Sequence, residues 1–258
     1  MPISEMSKLP NNHRFLDLSD YGRPVGRVIA KGLENTAVSP LHLTTLFIIS
    51  GLLGVGCILS GHFWGVVFFL VLKSILDAAD GELARIKNTP SYTGRYYDSI
   101  ADIILNLFIL LAIGYITNTG IIWTLLAFCG MQLQGTLYNY YYVILRNRHH
   151  GDTTSRVFEK DTPVAMEGEQ QRNVDLLFGC YRLLYGGFDQ IIYFLDGSAS
   201  DNGKLPNWLM TAVSIYGLGF QLLLIGLMLV VGWADFIIPF FIFYTVFVFL
   251  FIGIRKVL

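Results

Sequence analysis

Asp77, Asp80, Asp98 and Asp102 fall within one stretch, DAADGELARIKNTPSYTGRYYDSIAD, flanked on both sides by apolar sequence. An aspartate at the centre of a membrane helix costs about 2.5–3.5 kcal/mol, and less near the interface, so ionisable groups in such a place point to function. Asp77 and Asp80 are three residues apart and Asp98 and Asp102 four apart, so each pair shares one stripe of a helix. A short polar turn joins the two segments, which makes them antiparallel neighbours and lets the four carboxylates face one another. Four like charges at that range require a cation, and oxygen-only ligands on hard carboxylates select magnesium, manganese or calcium. The pattern predicts a one- or two-metal carboxylate site. Gly81 lies on the Asp77 stripe and Gly94 on the Asp98 stripe, so each helix offers bare backbone beside its acids. Arg85, one turn beyond Gly81, carries a planar guanidinium suited to phosphate oxygens. Metal, guanidinium and uncovered backbone together describe a diphosphate site.

The elements that hold these residues must be membrane helices. Of the 258 residues 53% are hydrophobic and 14% charged, and the mean hydropathy is +0.53; a soluble domain of this size is excluded. The net charge of −1 gives no sign of a nucleic-acid partner. Six stretches, near 42–60, 63–84, 96–117, 121–144, 207–232 and 236–254, are long enough to cross the bilayer, whose hydrocarbon core of about 30 Å takes roughly 20 helical residues. They are helices because their backbone finds no water there. Lys and Arg are absent from the connections at 60–62, 117–120 and 232–235 and gather in the N-terminal arm, the 85–95 turn, the 146–205 segment and the C-terminus. Cytoplasmic flanks collect such residues, so both termini are expected in the cytosol. No apolar run follows Arg14, Arg23, Arg27 and Lys31, so no cleavable signal peptide is expected. Cys57, Cys129 and Cys180 are odd in number and widely spaced, and read as reduced thiols.

The fold class is therefore an all-α, multi-pass integral membrane protein of six transmembrane helices, divided into a cytosolic arm over 1–40 and a membrane domain over 41–258 that includes the cytosolic segment 146–205. Residues 15–33 set Val25, Val28 and Ile29 beside basic positions, a pattern for a short amphipathic helix on the membrane surface. Residues 174–195 are apolar with embedded Arg182 and Asp189, and read as an interfacial or docked helix broken at Gly186–Gly187.

The stretch 77–102 resembles the signature of the CDP-alcohol phosphotransferases, D-x2-D-G-x2-A-R-x8-G-x3-D-x3-D, at all eight fixed positions with every spacing kept. The resemblance implies a cytosol-facing cavity holding two divalent ions, Mg2+ or Mn2+, and a CDP-linked donor, with a hydroxyl of a second substrate displacing CMP. It makes Asp77, Asp80, Asp98 and Asp102 metal ligands and gives Asp102 the added role of general base. Gly81, Ala84, Arg85 and Gly94 would line the nucleotide and diphosphate. Members often begin the first span with P-N-x-(L/V)-T; here Pro40 and Thr44 match, which adds Thr44 to the nucleotide set. The implied product is a phospholipid, made either from CDP-diacylglycerol and a small polar alcohol, the reading preferred here, or from CDP-choline or CDP-ethanolamine and a lipid hydroxyl. Membrane lipids are partners on either branch, and a homodimer stays open.

Other polar groups in the spans take blander readings. Lys73, one turn before Asp77, reads as a snorkelling or charge-balancing side chain. Tyr138, Tyr140, Tyr141 and Tyr142 read as an interface belt, whereas Gln132, Gln134 and Asn139 should face protein or a cavity. His149 and His150 suit a solvated polar edge. A divalent cation channel or transporter is the competing function, but it needs polar residues through the full depth of the bilayer. The outer halves of the second and third spans, FWGVVFFLVL and LFILLAIGYI, are apolar.

Overall fold

The computed structural model describes residues 9, 14–149, 159, 161–201 and 203–258. The polar stretch around His150, Arg156 and Lys160 lies outside the described residues. Among those described, every long element is helical: α1 (Arg23–Leu33), α2 (Pro40–Leu59), α3 (Phe63–Ile86), α4 (Tyr92–Ile116), α5 (Ile121–Arg148), α6 (Gln171–Asp196), a one-turn α7 (Ser198–Asp201), α8 (Asn207–Val213) continued by a 3-10 turn over Ser214–Tyr216, α9 (Leu218–Val230), α10 (Ala234–Tyr244) and α11 (Val246–Val257).

Among the described residues four helical stretches are long and apolar enough to cross a membrane: α2, α4, α5 and the run of α10 into α11. A fifth is the pair Asn207–Tyr216 and Leu218–Val230, bent by 51°. The chain is thus a membrane protein with four or five such helices. α3 has 24 residues, but every 18-residue window of it contains Lys73, Asp77 and Asp80, so it is too polar to count with the rest.

The bend replaces the single span predicted over 207–232, and the N-terminal arm packs against it. A β-carbon on Gly217 would lie 2.2 Å from the Ser19 side chain, and one on Gly219 would lie 2.0 Å from the Ser19 carbonyl oxygen. The Leu18 N–H donates to Ser214 Oγ at 2.9 Å. The arm therefore enters the bundle at the break, where only glycine leaves it room.

α1 docks on α3 rather than lying free on a surface. Gly22, Gly26 and Ala30 recur every fourth residue and form one narrow stripe. β-carbons on Gly22 and Gly26 would each stand 2.9 Å from α3 backbone, at Ser74 O and Ala79 N, and Ala30 is fully buried. Val25 and Val28 stay exposed on the outer side, as an amphipathic helix requires.

α6 is continuous through Gly186 and Gly187, where a break was predicted. Glycine in a helix costs about 1 kcal/mol, and packing on both sides overrides it. Before the pair, Val174, Phe178 and Tyr181 pack on Tyr96 of α4. After it, Asp196 accepts from Tyr141 Oη at 2.6 Å and from Arg255 Nε at 2.8 Å. Those partners sit at the start of α4, the later part of α5 and the end of α11, so α6 lies across one end of the bundle instead of spanning it.

The tyrosines predicted as an interface belt turn inward. Tyr140 and Tyr141 are buried, and Tyr138 donates to Asp17 of the arm. Gln134 donates to Phe241 O at 3.1 Å and accepts from Gln221 at 2.9 Å, tying α5 to α9 and α10. Gln132 is also buried, whereas Asn139 is exposed, against expectation. An apolar core from Ile58, Val66, Ile109 and Phe241 fills the half of the bundle away from α6.

Candidate active site

α3 and α4 each pack on α2 more than on one another, against the expectation of direct neighbours, and their acids converge between them. Asp77, Asp98 and Asp102 each offer a carboxylate oxygen, and these oxygens lie within 4.8 Å of one another. Lys73 is fully buried, forms an ion pair with Asp102, and has its ammonium 4.6 Å from the Phe47 ring centre. It is the charge-balancing group of the two readings. Asp98 Oδ1 is buried with no hydrogen-bond partner. A buried acceptor in that condition costs about 1–3 kcal/mol, and more for a carboxylate, so a set of hard oxygens with one orphan is the donor set that a divalent cation completes.

Asp80 lies on the same wall, with Oδ2 accepting from Thr44 Oγ1 at 2.7 Å. The start of α2 sets up that contact. The Ser39 N–H donates to His42 Nδ1 at 2.9 Å and closes the first turn, which gives His42 a capping task. Thr44, half a turn on, then faces α3.

A cavity of about 160 Å³ opens over these acids. From α3 and α4 it is lined by Ser74, Asp77, Ala78, Asp80, Gly81, Arg85 and Asp98. A β-carbon on Gly81 would meet only the Arg85 guanidinium, 3.6 Å away, so this glycine leaves open space at the site. Asp102 is joined to the cavity through Asp77 and Asp98. Thr44 stands behind Asp80, and Ala84 is half-buried on α3, away from the lining. Gly94 sits in the first turn of α4, where its N–H donates to the capping Ser91 Oγ at 2.8 Å.

The rest of the lining was missed by reading the acids alone. The arm contributes Ser19, Asp20, Gly22 and Arg23, and α9 contributes Gly219. Glu82, buried inside the aspartate stretch, collects three guanidiniums: Arg85 Nη2 at 3.1 Å, Arg23 Nη1 at 3.3 Å and Arg27 Nε at 3.4 Å. Arg23 also pairs with Asp20. Burial disfavours the charged form of Arg23, but Asp20 and Glu82 outweigh it, so its pKa lies above the ordinary value. The i,i+4 spacing of Arg23 and Arg27 was the available signal for a basic stripe facing an acid.

The turn between α3 and α4 is held from outside the spans by Glu169. Its carboxylate accepts from Ser91 Oγ at 2.7 Å, from the Thr93 N–H at 2.7 Å and from the Met166 N–H at 3.0 Å. Burial pushes its pKa up, yet these hydrogen bonds prevail and hold it below the usual value.

Residues 37–158 match the family model described as CDP-alcohol phosphatidyltransferase. The match covers α2 to α5 and all four aspartates. No curated protein matches the chain.

Proposed function

We propose, from the premise that residues 37–158 are a CDP-alcohol phosphatidyltransferase domain, that this chain transfers a phospho-alcohol group from a CDP-linked donor to a hydroxyl acceptor and releases CMP. The family's general reaction is that transfer. The choice of CDP-diacylglycerol as donor and a small polar alcohol as acceptor is the finer part of the reading. The observation that carries it is the meeting of Asp77, Asp98 and Asp102 beneath a cavity walled by Gly81 and Arg85.

Asp77, Asp80, Asp98 and Asp102 would hold two divalent cations, Mg2+ or Mn2+, and the orphaned Asp98 oxygen supports that fit. Such ions, when bound, supply charge screening for the diphosphate and for the attacking and leaving oxygens. The chain's own groups position and move the proton. The acceptor oxygen forms a bond to the phosphorus distal to cytidine, the bond to the CMP oxygen breaks, and Asp102 takes the hydroxyl proton. Lys73 keeps Asp102 oriented and balances its charge. Arg85 faces phosphate oxygens across the space left by Gly81, and Thr44 steadies Asp80; Ala84 and Gly94 lie outside the cavity lining and take no part in this reading.

In the same reading α3 is the sixth span, since its length suffices and its polar residues face protein. The ends of α3, α5 and α11 near the arginines Arg85, Arg148 and Arg255 share one side with α6, which supports a cytosolic site and cytosolic termini. The test is a screen of the purified chain with CDP-diacylglycerol, CDP-choline and CDP-ethanolamine against alcohols and diacylglycerol, reading CMP and lipid mass. Failure of every pair to release CMP overturns the reading.

A further inference from the structure

We propose that Arg23, supplied by the N-terminal arm, is a ligand for a substrate phosphate group and acts with Arg85 across Glu82. The inference rests on the reading of the cavity as a CDP-donor site and adds a residue outside the family-matched region 37–158.

Arg23 and Arg85 line the same cavity, and their guanidiniums converge on Glu82 at 3.3 and 3.1 Å. Of the charged groups that line the cavity on this side, Arg23 and Arg85 stand against Asp20 alone, which leaves the lining here one charge positive. The same cavity is also lined by Asp77 and Asp80, one to two turns before Arg85 on α3, and by Asp98 of α4. A space of about 160 Å³ thus has a carboxylate pole and a guanidinium pole. A phosphate group suits that polarity, because its oxygens can bind cations on one side and N–H forks on the other.

The basic pole also has donors to spare. A guanidinium carries five N–H groups, and Arg85 Nε is buried with no partner. Arg23 engages Asp20 through Nε and Glu82 through Nη1, the latter long enough to exchange for a better acceptor.

Nor is Arg23 on a loose tail. Ser19 fills the space beside Gly217 and Gly219, and Gly22 and Gly26 bring the arm onto α3 backbone. Its side chain is 12% exposed, as a cavity wall requires, whereas that of Arg27 is 36% exposed and lies outside the lining.

The phosphate can belong to the donor's diphosphate or to a phosphorylated alcohol acceptor, and two probes separate them. Full-length chain in lipid nanodiscs with Mg2+ is titrated with CDP and with inorganic phosphate by calorimetry, for wild type, Arg23→Gln, Arg23→Lys and Arg27→Gln. Arg23→Gln should weaken at least one probe tenfold or more, Arg23→Lys should lie between, and Arg27→Gln should stay within twofold. Loss of CDP affinity assigns Arg23 to the donor; loss of inorganic phosphate with CDP retained assigns it to the acceptor. Both probes within twofold of wild type in Arg23→Gln overturn the proposal. If Arg23→Gln does not fold, wild-type affinities in Arg23→Lys overturn it instead. Wild type that binds inorganic phosphate through Arg23 but no CDP refutes the functional reading and keeps the anion site; wild type that binds neither refutes both.

Discussion

Replacing Lys73 by Met removes the ammonium from the aspartate cluster and keeps most of the side chain's bulk against Phe47. Four aspartates and Lys73 sum to −3 in formal charge, and without Lys73 the sum is −4. Lys73 is fully buried and paired with Asp102, and breaking a buried pair from one side costs about 3–5 kcal/mol. Each kcal/mol moves the unfolding midpoint of a chain near this size by about 2–4 °C. The midpoint in chelator should therefore fall by roughly 6–20 °C. A divalent cation on the same carboxylates replaces the missing charge. At about 100 to 1,000 times its dissociation constant it returns about 2.7–4.1 kcal/mol, most of the loss. Thermal unfolding in detergent, with EDTA and then with rising Mg2+ or Mn2+, measures both halves. A variant midpoint that does not rise with the metal refutes cation binding at these aspartates, and no deficit in chelator refutes the structural weight given to the Lys73–Asp102 pair.

EDTA should abolish CMP release and Mg2+ or Mn2+ should restore it; full turnover in metal-free buffer counts against the aspartates as a metal site. Asp102→Asn should bind CDP nearly as well as wild type and lose about 10²–10⁴-fold in single-turnover rate, the range for a missing general base, whereas Asp80→Asn should lose binding as well as rate. Equal loss of CDP binding in the two variants would make Asp102 chiefly a ligand. Gly81→Ala meets only the Arg85 guanidinium at 3.6 Å, so the variant should keep or raise its melting temperature while turnover drops; undiminished turnover shows that substrate does not approach there. The folded-state pKa of Glu169 is lowered below 4.5, so its stabilisation is complete above pH 4.5 and is lost as pH falls through the folded value. Hydrogen exchange around 161–172 should rise on acidification in wild type and much less in Glu169→Gln, and parallel curves would exclude Glu169 as the cause.

The helices α2 to α5 and the acids on them were legible because both signals are local. An apolar run of the right length makes a span, and three- or four-residue spacing makes a stripe. Contacts between distant segments left no such trace. Ser19 meets Gly217 and Gly219 at the far end of the chain, so neither the bend near Gly217 nor the arm's place in the cavity could be read from hydropathy. Tyr140 and Tyr141 fit an interface belt by composition, and only the burial of Asp196 and Arg255 beside them reverses that. Gly186–Gly187 signals a break by propensity, which the aromatic packing around Tyr181 overrules. Arg23 was read as a topology marker because membrane arginines usually are; its second partner, Glu82, sits inside the aspartate signature and was hidden by it.

The pairing of Ser19 with Gly219 also sets a schedule for the making of the protein. A ribosome delivers the arm first, the carboxylates of α3 and α4 next, and the α9 glycines only when most of the chain has emerged. Lys73 travels on the same hairpin as the aspartates and is at hand as soon as α4 is in place. Closure must wait for Gly217 and Gly219, and the arm must stay on its own side of the membrane until they arrive. A nascent chain stopped before α9 therefore carries the whole signature but lacks the Gly219 part of the cavity lining.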